Sequence, residues 1–446
     1  SLSLLNVVSL ANEKSGNFAA AIENYKKILK IKPDFAEVYN NMGAILIAQG
    51  KLDEAVEAYN KALSLKPDYA EAYNNMGVAL ATHGKLEEAV EAYTQALTFK
   101  PDYANAYNSL GVALKDQGKL EEAIETYDKA LALKPNSSEF IENSQDLAVQ
   151  LLPIIANYGY DFDNIDKQVK SKVVLRPKYQ IEHLIKTFLE ADFSKAHTHN
   201  NNFKACDPNL LDKLVPIDKV FCNAYSTFLG KLLETNWDKA PGFEIENKVY
   251  HLGESHCLSY AHHKIKIDGS NFRIVPRITF GAKVFHFSRI KDDIFKAITK
   301  ANFVSLPKCS KVFISFGEID CRPNEGFIAA AKKLNVPLED LITDTVVGYV
   351  QWFLEQNESQ NHLLYFINVP APPYEKAHSA DLNSEVARTV VLFNAALKKY
   401  SLQHSFDLVD VFQFTVGKNG FSNGLFDVDG RHLGAKAISE IEQQLN

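Results

Sequence analysis

The chain has 446 residues, 46% hydrophobic and 23% charged, with 28 Phe, 19 Tyr and a formal net charge of −7. At roughly 100–200 residues per domain this is too long for one ordinary core, and the aromatic content excludes a wholly disordered chain. The mild acidic excess argues against a non-specific grip on nucleic acid or anionic lipid, and no run of about 18 apolar residues offers a membrane span. In chain order, the first elements are repeated helices. Pro33, Pro67, Pro101 and Pro135, like Gly16, Gly50, Gly84 and Gly118, recur every 34 residues. Within 67–100 one apolar stripe of helical period runs Ala70, Tyr73, Met76, Gly77, Leu80. A second, beyond a Gly-Lys-Leu turn, runs Leu86, Ala89, Tyr93, Ala96, Leu97. Gly77, with its equivalents Gly43 and Gly111, lets the paired helices approach closely, and the proline closes each unit. One such pair cannot bury both its faces, so neighbouring units must stack.

These units resemble the tetratricopeptide repeat (TPR), near consensus over 33–134 with a degenerate unit before them. The resemblance implies an all-α superhelix whose concave groove binds a peptide or another protein. It places Asn40, Asn41, Asn74, Asn75 and Asn108 on that groove, where each amide offers a donor and an acceptor to an extended backbone. The alternative is that these residues follow the repeat pattern and are merely solvated.

After the repeats, Ser137-Ser138-Glu139 is expected to cap a helix whose Phe140, Leu147 and Leu151 seal the array. The stretch 157–163 is turn-rich, and 178–236 is helical in pattern except for the polar run 196–202, read as a loop. His197 and His199 in that run lack the spacing of metal ligands. From Lys248 the pattern changes to β-rich runs at 248–252, 283–287, 311–316, 363–369 and 407–412. Helical stretches follow at 290–302, 338–356, 384–400 and 435–444. Apolar strands alternating with amphipathic helices indicate an α/β domain of three layers around a mainly parallel sheet. The expected domains are therefore repeats with a capping helix over 1–150, a helical linker or insert over 151–246, and the α/β domain over 247–446.

In such sheets the loops beyond the strands' carboxyl ends collect the chemistry, and three polar blocks fall there. They are Gly253-Glu254-Ser255-His256-Cys257-Leu258-Ser259, Gly317-Glu318-Ile319-Asp320-Cys321-Arg322, and the loop from Phe426 to Gly434 containing Asp429 and His432. A serine at a strand-to-helix turn exposes its hydroxyl. An aspartate three residues before a histidine can orient the imidazole that this hydroxyl needs as a base.

Taken in order, the blocks resemble the SGNH/GDSL hydrolase superfamily over about 248–446. Gly253, Glu254, Ser255 and Ser259 match G-[DE]-S-x-x-x-S, and Asp429 with His432 matches D-x-x-H. The resemblance implies Ser255 as nucleophile, His432 as general base and then acid, and Asp429 as its orienting partner, with Asp427 a rival in a less fitting position. It also implies an oxyanion or substrate site among Gly281, Gly317, Glu318, Asp320 and Arg322. Gly281 stands in for the family's second-block glycine, in a turn expected to precede a strand. The third block departs from G-x-N-D: Ile319 stands where the family's asparagine donates to the oxyanion. Either another group such as Arg322 substitutes, or catalysis is slow or lost. Arg322 could instead hold a substrate carboxylate or phosphate, or simply pair with Glu318 or Asp320.

The resulting expectation is an ester hydrolase or O-deacylase acting on small acyl esters, on a carbohydrate or lipid by resemblance. An O-acyltransferase using the same acyl-enzyme and a non-catalytic adaptor are the alternatives. No cofactor or metal is expected: His256, His262 and His263 lack carboxylate partners at ligand spacing, and Cys257 and Cys321 read as small packing residues. Five widely spaced cysteines without a C-x-x-C pair suggest a reduced, cytoplasmic setting. The start at Ser1 without Met suggests that a leader or upstream segment has been removed.

Overall fold

The computed structural model describes residues 15–135, 177–234 and 247–446, apart from 213, 215, 290, 291, 325, 405, 430 and 431. It also describes 5, 7–9, 12, 137, 139–141, 143, 144 and 147. The chain forms two compact units, Ser1–Leu147 and Ala148–Asn446. Of the expected capping and linker residues, Ser138, Leu151 and 157–163 lie outside those described. Among the described residues, no helix is long and apolar enough to cross a membrane.

The first unit consists of helix pairs: Phe18–Ile31, Ala36–Ala48 with Leu52–Leu65, Ala70–Thr82 with Leu86–Phe99, and Ala104–Asp116 with Leu120–Leu133. The glycine inside each first helix is a steric requirement. A Cβ on Gly43, Gly77 or Gly111 would lie 2.6, 2.6 or 2.7 Å from the ring of Tyr59, Tyr93 or Tyr127. At each unit boundary Lys32, Lys66 and Lys100 lie 4.5, 4.3 and 4.6 Å over the rings of Phe35, Tyr69 and Tyr103.

The asparagine amides bond within the array. Asn40, Asn74 and Asn108 are buried, while Asn41 and Asn75 are half-buried. Asn75 Nδ2 donates to Asn40 Oδ1 at 3.1 Å and Asn143 Nδ2 to Asn108 Oδ1 at 3.0 Å, so amides of this row join successive units. The corresponding partner of Asn74 is Ser109, whose hydroxyl instead bonds Tyr93, and Asn74 Oδ1 has no partner. Phe140 and Leu147 are buried as a cap requires, and Ser137 Oγ accepts the Phe140 amide at 3.5 Å.

The second unit is α/β around a mixed sheet. Its strands are β1 (Lys248–Gly253), β2 (Lys264–Ile267), β3 (Ser270–Ile278), β4 (Lys311–Ser315), β5 (Leu363–Ile367) and β6 (Asp407–Val409). Their order is β2-β3-β1-β4-β5-β6, with only β2 antiparallel to its neighbour. Side chains of the central strands alternate between two cores. Tyr250, Leu252, Val312, Ile314, Leu364 and Phe366 pack with helices Leu338–Asn357 and Ala380–Ser401. Val249, Phe313, Tyr365 and Ile367 face helix Ile438–Leu445. Helices Pro177–Leu189, Phe193–Lys204 and Pro216–Leu233 share a third core with Cys257, Leu258, Ala261 and Ile278.

Two expectations are corrected. Residues 283–287 are not a strand: Val284–Ser288 is a short helix, because the buried Asp320 carboxylate accepts the Val284 and Phe285 amides and His286 Nδ1 the Lys283 amide. The neighbouring strand is β3, formed with β2 through the two-residue turn Asp268-Gly269, both at positive φ. The polar run 196–202 is not a loop but lies within helix Phe193–Lys204. Asp192 caps that helix, Ala196, Asn200 and Phe203 form its buried stripe, and Asn200 Oδ1 accepts the Ser226 hydroxyl at 2.7 Å.

Candidate active site

β1 delivers the serine through a tight passage. A Cβ on Gly253 would lie 2.5 Å from Ser315 Oγ and 2.6 Å from its carbonyl oxygen, so only glycine lets β1 end this close to β4. Glu254 follows in extended conformation, and Ser255–Leu258 form a 3₁₀ turn. On the facing loop, the Val428 amide donates to the His432 carbonyl at 2.7 Å, and Asp427 pairs with Leu433 across the base. This closes the loop so that Asp429 and His432 stand together.

The three residues named from the motifs are in contact. Ser255 Oγ lies 2.9 Å from His432 Nε2, and His432 Nδ1 lies 2.8 Å from Asp429 Oδ2. Asp429 Oδ1 also accepts the His432 backbone amide at 2.8 Å, fixing the carboxylate at both oxygens. The rival Asp427 is turned elsewhere and accepts the Ser422 hydroxyl at 2.8 Å. Phe228 stacks on the His432 ring, centroids 3.9 Å apart and planes at 18°. The ring thus has its tautomer and plane set from two sides.

The third block supplies charge. Gly317 has φ +124°, and a Cβ there would lie 2.6 Å from the Phe393 ring, so its place in the block is conformational. Glu318 takes Arg322 in a fork, Nε to Oε1 and Oε2 at 3.2 and 3.1 Å and an Nη to Oε2 at 2.7 Å. Burial works against the Glu318 charge, but Arg322, His256 and His432 hold its carboxyl below the ordinary range. Glu254 goes the other way: burial first, then the Glu318 charge, pushes it well above the usual carboxylate range. One of its oxygens takes the Ile319 amide and Oε2 has no partner. Asp320 is raised to about 7 by burial, and its carboxylate is engaged by the helix amides described above rather than by open space. Beside this block a cleft of about 330 Å³ is lined by Glu318, Arg322, Asn324, Pro372, Glu375 and His378, among others.

Gly281 lies in the exposed turn after β3, at φ +68°, and precedes a helix rather than a strand. His262 is spent on the Phe188 carbonyl at 2.9 Å, and burial lowers it to about 4. Ligand atoms of Glu254, His256 and Glu318 lie within 4.8 Å of one another, a set the sequence reading did not assemble. Arg322 already holds both Glu318 oxygens there. All five cysteines are free, with Cys257 and Cys321 buried. Sequence reasoning also missed Phe228 and Tyr225 of helix Pro216–Leu233, the latter with its hydroxyl in hydrogen-bonding reach of Ser255. No motif marks them; the only signal is an aromatic-rich helix.

Comparison with known proteins bears on the first unit. A family model described as TPR repeat matches 14–47, 43–84 and 82–118, and one described as tetratricopeptide repeat matches 104–137. The N-terminal array is therefore built of TPR repeats. Among solved structures, PilF of Pseudomonas aeruginosa is similar at 19% identity, over 50% of this chain and 96% of its own, with a TM-score of 0.40. A MamA fragment from Desulfovibrio magneticus is similar at 22% identity over 38% and 97%, TM-score 0.33. The first TPR of Spaghetti (RPAP3), bound to an HSP90 peptide, is similar at 29% identity over 25% and 90%, TM-score 0.25. No curated protein matches the chain. The α/β unit is read from its own geometry.

Proposed function

We propose that the α/β unit is a serine-dependent ester hydrolase or O-deacylase of the SGNH type, and that the TPR array binds a protein or peptide partner. The observation that carries the reading is the unbroken relay from Ser255 Oγ to His432 to Asp429, at 2.9 and 2.8 Å. In this reading Ser255 Oγ attacks the ester carbonyl while its proton passes to His432 Nε2. Asp429 balances the imidazolium, and the buried Glu318 charge adds to that balance. His432 then protonates the departing alkoxide, and water assisted by the same imidazole resolves the acyl-enzyme.

The test uses a fluorophosphonate probe and an acetyl ester. The parent protein should be labelled at Ser255 and should release acetate, and Ser255→Ala should do neither. Absence of labelling in a folded parent would favour the adaptor reading instead. Adding glycan acceptors separates hydrolase from transferase, since a transferase moves the acetyl group to sugar while acetate release falls.

A further inference from the structure

The site as the motifs describe it lacks a donor. Ile319 occupies the place where the resembled family carries an asparagine, and a hydrocarbon cannot stabilise an oxyanion. The structure presents one hydroxyl beside the nucleophile that no motif includes. Tyr225 lies one helical turn before Phe228 on helix Pro216–Leu233, so the two side chains share a face. Phe228 lies on the His432 ring, and the Tyr225 hydroxyl is in hydrogen-bonding reach of Ser255. Its ring is fixed by Phe221 at 4.7 Å and, edge-on, by Phe280 at 5.6 Å. Phe280 belongs to the turn that carries Gly281, so Tyr225 bridges the nucleophile and the second-block turn.

We propose that the Tyr225 hydroxyl is the oxyanion donor that replaces the missing asparagine. The assignment rests on the hydrolase reading above. As the bond from Ser255 Oγ to the carbonyl carbon forms, the carbonyl π pair moves onto oxygen and the serine proton passes to His432. Tyr225 directs its O–H at the new oxyanion and keeps its proton throughout. When the carbonyl re-forms, the alkoxide leaves with the proton held by His432. Burial raises the phenol above its ordinary range, so the group stays a donor across neutral pH.

Tyr225→Phe keeps the ring and its packing and removes only the hydroxyl. With p-nitrophenyl acetate, kcat should fall by about 10²–10³, as for loss of one oxyanion donor, with KM within about threefold of the parent. A boronic acid, which forms a tetrahedral anion on the serine, should bind the variant at least about tenfold more weakly. Tyr225→Leu should be no faster than Tyr225→Phe, with both unfolding cooperatively. A Tyr225→Phe enzyme that retains kcat within about tenfold and boronate affinity within about threefold overturns the assignment while leaving the hydrolase reading intact. A folded parent with neither turnover nor Ser255 labelling overturns the hydrolase reading, and the Tyr225 assignment falls with it.

Discussion

Replacing Asp429 by asparagine tests the relay at its least redundant point. The two carboxylate oxygens accept different donors, the His432 amide and the His432 Nδ1 proton, each at 2.8 Å. Asparagine has one acceptor and one donor, so one of these contacts becomes donor against donor. If the amide nitrogen faces the ring, the imidazole carries its proton on Nε2 and no lone pair faces Ser255. If the oxygen faces the ring, the tautomer survives but the charge that balances the imidazolium is gone. Unit charges about 4 Å apart at an effective dielectric near 20 attract by about 4 kcal/mol. At about 1.4 kcal/mol per decade that is about 10³ in kcat, within the range of 10²–10⁴ expected of the two outcomes together. The assay is hydrolysis of p-nitrophenyl acetate, with Asp427→Asn as control because, among the described residues, that carboxylate accepts the Ser422 hydroxyl and not the His432 ring. If Asp429→Asn stays within about tenfold of the parent, or if Asp427→Asn is the slower variant, Asp429 does not orient the base.

Gly77→Ala should destabilise the repeat unit by about 1–2 kcal/mol in chemical unfolding, because the methyl meets the buried Tyr93 ring at 2.6 Å and overpacking outweighs the gain in helix propensity. Asp320, raised to about 7 by burial, binds its proton more tightly folded than unfolded, so its contribution to stability is present below about pH 4 and lost as pH rises through about 7. Asp320→Asn should flatten that decline in urea titrations taken across the range. Burial and the Glu318 charge push the Glu254 carboxyl well above the usual carboxylate range, so Glu254→Gln should keep the thermal midpoint near that of the parent while Glu254→Ala lowers it by several degrees. Equal losses in the two variants would mean that the charged form is the native one.

The repeats were legible because each unit repeats the same steric demand: a glycine under a tyrosine ring, a lysine over an aromatic ring, a proline between pairs. Strands β1, β4, β5 and β6 were legible as apolar runs between amphipathic helices. β2 and β3 carried a readable signal in Asp268-Gly269, but the alternation in 283–287 drew the strand assignment away from them. That alternation is overridden by a carboxylate from a distant loop, a tertiary contact that local pattern cannot contain. Helix Phe193–Lys204 was hidden by composition, since its buried face includes Asn200, satisfied by Ser226 of another helix. In the site, Ser255, Asp429 and His432 could be named because their spacing along the chain is fixed by single turns. Tyr225 and Phe228 could not, because what makes them part of the site is where their helix docks.

That docking bears on where the chemistry resides. The sheet alone supplies the hydroxyl, the imidazole and its carboxylate, each from a loop at the ends of strands. The plane of the imidazole is set by Phe228, and Phe228 lies in a core that also contains Cys257 and Leu258 from the turn of the nucleophile. Removing the helices of 177–233 would strip apolar cover from that turn and take away the ring stacked on His432. The helical stretch before β1 is therefore a wall of the proposed site, and the body that carries that site extends from helix Pro177–Leu189 to the C-terminal helix. A fragment beginning at β1 carries every motif residue and lacks both the stacking ring and the phenol.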